Sequence, residues 1–178
     1  RYALRLALQE GAEPEELVTL LPRALAAAPD QAGGDSLLGL HARLLQQTSG
    51  CGQAMFQYRA VLRRSPDSTV RSRARKGAAD CALSLGRRSL TSGRDEDAAL
   101  WFAEAARMDS TSAAGRQALF AYGETRLAQG DTLAAALAFQ AVAAEAGVTD
   151  SFSGKARARL DDIGLTPMTG PPSGAGIP

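Results

Sequence analysis

Three segments of the chain repeat one pattern, and that pattern limits the folds open to it. They are "GQAMFQYRAV" at 52–61, "DEDAALWFAEA" at 95–105 and "TLAAALAFQAV" at 132–142. Each sets a small residue, an aromatic ring four positions on, and Val or Ala three further. The triplets are Ala54/Tyr58/Val61, Ala98/Phe102/Ala105 and Ala135/Phe139/Val142. On an α-helix, offsets of four and seven fall on one face. Small residues let neighbouring helices approach closely, and the ring fills the gap between them. Each segment therefore reads as a helix sandwiched between others.

A helix-compatible stretch precedes each segment: 35–48, about 68–92, and 113–129. These close on "TSG", "TSG" and "QGD", where Gly supplies the left-handed residue that ends a helix. After the aromatic segments come "SPDS" (65–68), "MDSTS" (108–112) and "GVTDS" (147–151), whose Asp, Ser and Thr suit the cap of a following helix. The unit is thus helix, tight turn, helix. The steps between units are 44 and 37 residues, and the added length lies in helix-compatible "TVRSRARKGA" (69–78). One longer helix is expected there.

The N-terminal third fits more loosely. "RYALRLALQEG" and "PEELVTLLPRALAAAP" read as a helix pair, with Pro14 suited to a first turn and Pro22 expected to kink the second helix. "FSGKARARLDDIG" (152–164) reads as a final capping helix. No strand is expected. The expected units are 1–32, 35–68, 69–112 and 113–149, then the cap at 151–164, about nine helices in one 1–164 domain. The stretch 165–178, Pro/Gly-rich, should be an extended tail that orders only against a surface, its own or another subunit's.

This arrangement resembles the tetratricopeptide repeat, a helix pair of about 34 residues. Residues 79–112 carry the likeness best, with Leu85–Gly86, Gly93, Ala98, Phe102 and Ala105, and Ser110 where Pro is usual. Residues 113–149 supply Gly123, Gly130–Asp131, Ala135 and Phe139; residues 35–68 supply Ala42, Ala54, Tyr58 and Pro66. Leu38, Ala82 and Leu119 replace the large aromatic of the first helix, and the spacing is longer. The longer spacing is similar to that of repeats in bacterial envelope accessory proteins, such as Tol–Pal-associated and outer-membrane assembly lipoproteins. The resemblance covers about 35–164. It implies an all-α fold, a right-handed α-α superhelix.

It also implies a concave protein-binding face lined by first helices. By position that face would present Arg43, Gln46 and Gln47, then Asp80, Leu83, Arg87 and Leu90, then Phe120, Glu124 and Leu127. The Lys/Asn pattern with which some members hold a peptide carboxylate is absent from these positions. The expected ligand is therefore an extended or helical segment of mixed character.

Net charge is +1, yet residues 63–94 hold nine Arg/Lys against two Asp/Glu, and the remainder is net acidic. Arg63, Arg64, Arg71, Arg73, Arg75 and Lys76 form the densest cluster, opposed only by Asp67. On a helix Arg71 and Arg75 share a face, while Arg73 and Lys76 point elsewhere. A solvated, protruding helix is the simple reading. An anionic-partner patch for an acidic protein or lipid headgroups is the functional one. Nucleic acid fits poorly because aromatic residues do not interleave.

Catalytic constellations are missing: His41 is the lone histidine, there is no Cys–His neighbour, and no Gly-rich phosphate loop follows a strand. His41 reads as a core or groove residue and Asp161–Asp162 as solvated surface. Cys51 and Cys81 are expected to be free, half-buried thiols, since a bridge needs an oxidising compartment and close Cα atoms. No cofactor or metal is expected. No apolar run approaches the ~20 residues of a membrane span. The opening Arg1 leads us to expect a segment upstream.

The sequence thus predicts a non-enzymatic scaffold that binds other protein subunits, as an accessory part of a bacterial envelope- or membrane-associated complex. The expected location is periplasmic or membrane-peripheral, with the cytoplasm left open. The alternative is a binder of anionic membrane surfaces or nucleic acid through 63–76.

Overall fold

A computed structural model describes residues 7, 9, 11–27, 31–110, 112–144 and 151–165. The described residues are all-helical, with eight helices and no strand: α1 Pro14–Ala26, α2 Gln31–Thr48, α3 Cys51–Arg64, α4 Ser68–Thr91, α5 Asp95–Met108, α6 Ala113–Ala128, α7 Thr132–Ala143 and α8 Ser151–Asp162. Ala7 and Gln9 are helical as well, but most of the expected first helix lies outside the described residues, as do the tail from 166 and the expected "GVTDS" cap up to Asp150. The chain divides into two compact units, Arg1–Ala118 and Leu119–Pro178, with the boundary inside α6.

Local signals account for the helix ends. Pro14 opens α1, followed by Glu15 and Glu16, whose charges suit the positive end of the helix. The helix then continues through Pro22, whose ring is exposed. On that side water can take up the carbonyl freed by the missing N–H. The Asp67 carboxylate accepts from the Thr69 and Val70 amides at 2.7 and 3.1 Å to start α4. Asp131 caps α7 through the Ala134 amide at 3.0 Å, and the Ser112 hydroxyl accepts from the Gly115 amide at 3.0 Å at the start of α6. Gly93 (φ 68°) and Gly130 (φ 82°) close α4 and α6 in the left-handed region. The following amides, Arg94 and Asp131, reach back to the Ser89 and Arg126 carbonyls, each at 2.9 Å. One boundary differs from expectation: α2 begins at Gln31 rather than 35, through Gly33–Gly34. As expected, α4 is a single helix, of 24 residues, that absorbs the added length.

Packing in both units follows the triplets, all nine of whose residues are at most 4% exposed. Each ring packs directly against a glycine. A Cβ built on Gly77 would stand 2.3 Å from the Tyr58 ring, one on Gly86 2.5 Å from Phe102, and one on Gly123 2.6 Å from Phe139. In the first unit Tyr58 reaches from α3 to α4, and Phe102 from α5 back to the same helix. α4 is therefore a central rod of small residues, with Ala74, Ala78, Ala79, Ala82 and Gly86 buried along it. α1 and α2 add a core of Leu17, Leu21, Ala24 and Leu44. In the second unit Phe139, Val142, Ala156 and Leu160 form the core, against which Phe120, Leu127 and Phe152 pack.

The expectation of free thiols is overturned. Cys51, the first residue of α3, is disulfide-bonded to Cys81 in the middle of α4, with Cα atoms 4.9 Å apart. No cysteine is free. The close Cα approach comes from packing α3 on α4, which puts one helix's end beside the other's middle. A sequence separation of 30 residues carries no sign of that.

Candidate functional site

Two recesses flank the first half of α4, and its arginines are shared between them. Residues 71 and 75 are one helical turn apart, whereas 73 lies on the opposite side. The structure accordingly divides the basic cluster. Arg73 turns toward α2, while Arg71 and Arg75 turn toward α5.

The recess on the α2 side has a volume of ≈ 140 Å³ and is bounded by Ser36, Leu40 and Arg43 of α2, Tyr58 of α3, and Val70 and Arg73 of α4. Two guanidinium groups and a phenol thus border one small concavity. The Tyr58 hydroxyl donates to the Gln46 side-chain carbonyl at 2.7 Å, which fixes the ring over Gly77. Burial raises the pKa of Tyr58, Arg43 acts to lower it, and Asp80 raises it further. Asp80 is itself raised, first by burial, against the pull of Lys76 and with a further push from Asp109. Lys76 of the basic cluster therefore bears on Asp80.

On the α5 side a wider trough of ≈ 340 Å³ is lined by α3, α4 and α5. Arg59, Arg63, Arg71, Arg75 and Arg107 border it, with Glu104 as the single acid and Leu62 and Met108 as apolar surface. Glu104 pairs with Arg59 at 3.2 Å and with Arg107 at 2.6 Å. Arg59 also lies over the Trp101 ring, 5.9 Å from its centroid. Through Arg59 and Glu104 the trough continues into a second recess of ≈ 300 Å³ beside Leu100, Trp101 and Asp97. Arg64, also exposed, is not among the lining residues.

The residues expected on the binding face have diverse surroundings. Arg43 borders the first recess and Gln46 holds Tyr58, while Gln47, Arg87 and Leu90 are exposed. Leu83 is only 7% exposed and belongs to the core, because it sits one turn from Ala79 on the buried side of α4. In the second unit all three expected residues are engaged by neighbours within that unit. Phe120 meets Phe139 and Phe152 with centroids 5.5 and 5.8 Å apart, and Leu127 packs against the core. Glu124 receives two hydrogen bonds from Arg159 of α8, both at 2.8 Å. Those bonds, then the Glu124 charge, raise the Arg159 pKa. His41 is 8% exposed, and burial lowers its pKa.

Sequence reasoning missed the Arg59–Trp101–Glu104–Arg107 arrangement. The i, i+3 spacing of Glu104 and Arg107 was a local clue, but Arg59 reaches them from another helix 45 residues away. Among the described residues no group of three or more His, Cys, Asp or Glu could hold a metal ion, and no helix is long and apolar enough to cross a membrane. The chain matches no protein-family model, and no curated protein matches it.

Proposed function

We propose that this chain is a non-enzymatic protein–protein interaction scaffold. Its helix pairs would continue as a right-handed superhelix of the tetratricopeptide type, serving a bacterial envelope- or membrane-associated complex. The observation that carries this reading is the recurrent glycine beneath an aromatic ring. Three times a ring of a second helix meets a glycine of a first helix, at Gly77, Gly86 and Gly123. Repeat proteins use such nearest-neighbour joints to present an extended surface rather than a single deep pocket. The recess at Arg43 and Arg73 is the contact region on the side of the first helices.

The disulfide supports a periplasmic location, because such bonds persist in oxidising compartments and are rare in the cytosol. To test the reading, the full chain is used to capture partners from the native membrane fraction, beside Arg43→Glu/Arg73→Glu. A stoichiometric partner retained by the parent chain and lost from the variant, with both proteins melting alike, is the expected result. Recovery of the chain alone from every fraction, with no partner after cross-linking, overturns it.

A further inference from the structure

We propose that the trough between α3, α4 and α5 receives an acidic, amphipathic segment of a partner polypeptide, an inference that rests on the scaffold reading and specifies the partner. Five arginines border this trough and only one carboxylate opposes them. Glu104 is fully used in holding Arg59 and Arg107. The side chains of Arg63, Arg71 and Arg75 make no hydrogen bond or ion pair among the described residues, and all three residues are exposed. Like charges gathered in this way repel one another, and salt at ordinary ionic strength only partly screens neighbours within about 10 Å. An acidic occupant relieves that repulsion and gives each planar guanidinium a carboxylate to grip with two parallel hydrogen bonds.

The apolar surface narrows the class of occupant. Leu62 and Met108 lie among the arginines, and the adjoining recess adds Trp101 and Leu100, the latter 59% exposed. A ligand of phosphate groups alone would leave this surface wet. From Asp97 to Met108 the run along α5 is about 16 Å at the rise of a helix, the span of about five extended residues. A polypeptide that alternates acidic and apolar side chains fits both features. A flat bilayer surface would meet the exposed arginine heads but leave half-buried Leu62 and Met108 uncovered. Stacked bases would need open rings; no aromatic residue lines the trough, and Trp101 of the adjoining recess already lies under Arg59.

The test uses the full, oxidised chain and a fluorescein-labelled peptide of Glu-Glu-Leu repeats. A Gln-Gln-Leu peptide serves as the neutral control, and vesicles of phosphatidylglycerol and phosphatidylcholine as the membrane arm. Saturable binding of the acidic peptide, weakened by salt, is expected, with little binding of the neutral one. Arg71→Glu/Arg75→Glu should weaken it by about tenfold or more. The same variant should keep its melting temperature or raise it, which separates lost binding from lost folding. Absence of saturable peptide binding, equal binding by the variant, or self-association abolished by the variant each overturns the proposal. So does a preference for anionic vesicles over the peptide. A captured partner that survives Arg71→Glu/Arg75→Glu but not Arg43→Glu/Arg73→Glu would sink the trough and leave the scaffold standing.

Discussion

At the level of single residues, the glycines that meet rings have little room to change. At Gly86 an added methyl would lie 2.5 Å from Phe102, a ring only 1% exposed that has little room to swing aside. Gly86→Ala should therefore cost ~1–3 kcal/mol by overpacking, seen as a lower denaturation midpoint at unchanged slope. Ala at exposed Gly154, where nothing lies within 4 Å of the new methyl, should not reduce stability. His41 yields a second residue-scale expectation. Burial depresses its pKa, so the folded state resists the proton that the unfolded chain accepts below about 6.5. Stability should therefore be full above that value and fall as pH drops through it toward the folded pKa. Thermal melts at neutral and mildly acidic pH should show this fall in the parent and a smaller one in His41→Gln.

At the level of elements, α4 organises the first unit. It carries two of the three ring-bearing glycines, one end of the disulfide, and arginines that face opposite ways. The bridge closes a loop of about thirty residues, so its reduction should destabilise the protein by ~3–4 kcal/mol through the freedom returned to the unfolded chain. Denaturation with and without reductant measures this. Cys51→Ser/Cys81→Ser should melt like the reduced parent and be indifferent to reductant. The helix hairpins and most of their ends were legible in sequence, because caps, glycine stops and the triplet spacing are local signals. Tyr58, Phe102 and Phe139 as core rings were legible for the same reason. The bridge was not, nor was the meeting of Arg59 with Glu104, since both depend on which helix faces lie together. Leu83 shows the same limit. Its position relative to the repeat suggested a surface role, but the burial of Ala79 and Ala82 on α4 carries it into the core.

Across the whole molecule, the division into two compact units and the local character of each core predict local failure. Phe139→Ala removes a fully buried ring from the second unit and should cost ~3–5 kcal/mol. Hydrogen exchange should then quicken in α7 and α8 while the protected amides of α1 to α4 hold, as in arrays stabilised by neighbours alone. Uniform loss of protection along the chain would contradict this picture of separable layers.

Tied together by the bridge, α3 and α4 cannot slide past one another. Both recesses take walls from this fixed pair, so that part of the backbone is already set. A visitor then gives up its own disorder and that of the long arginine side chains it grips, while the α3–α4 frame gives up none.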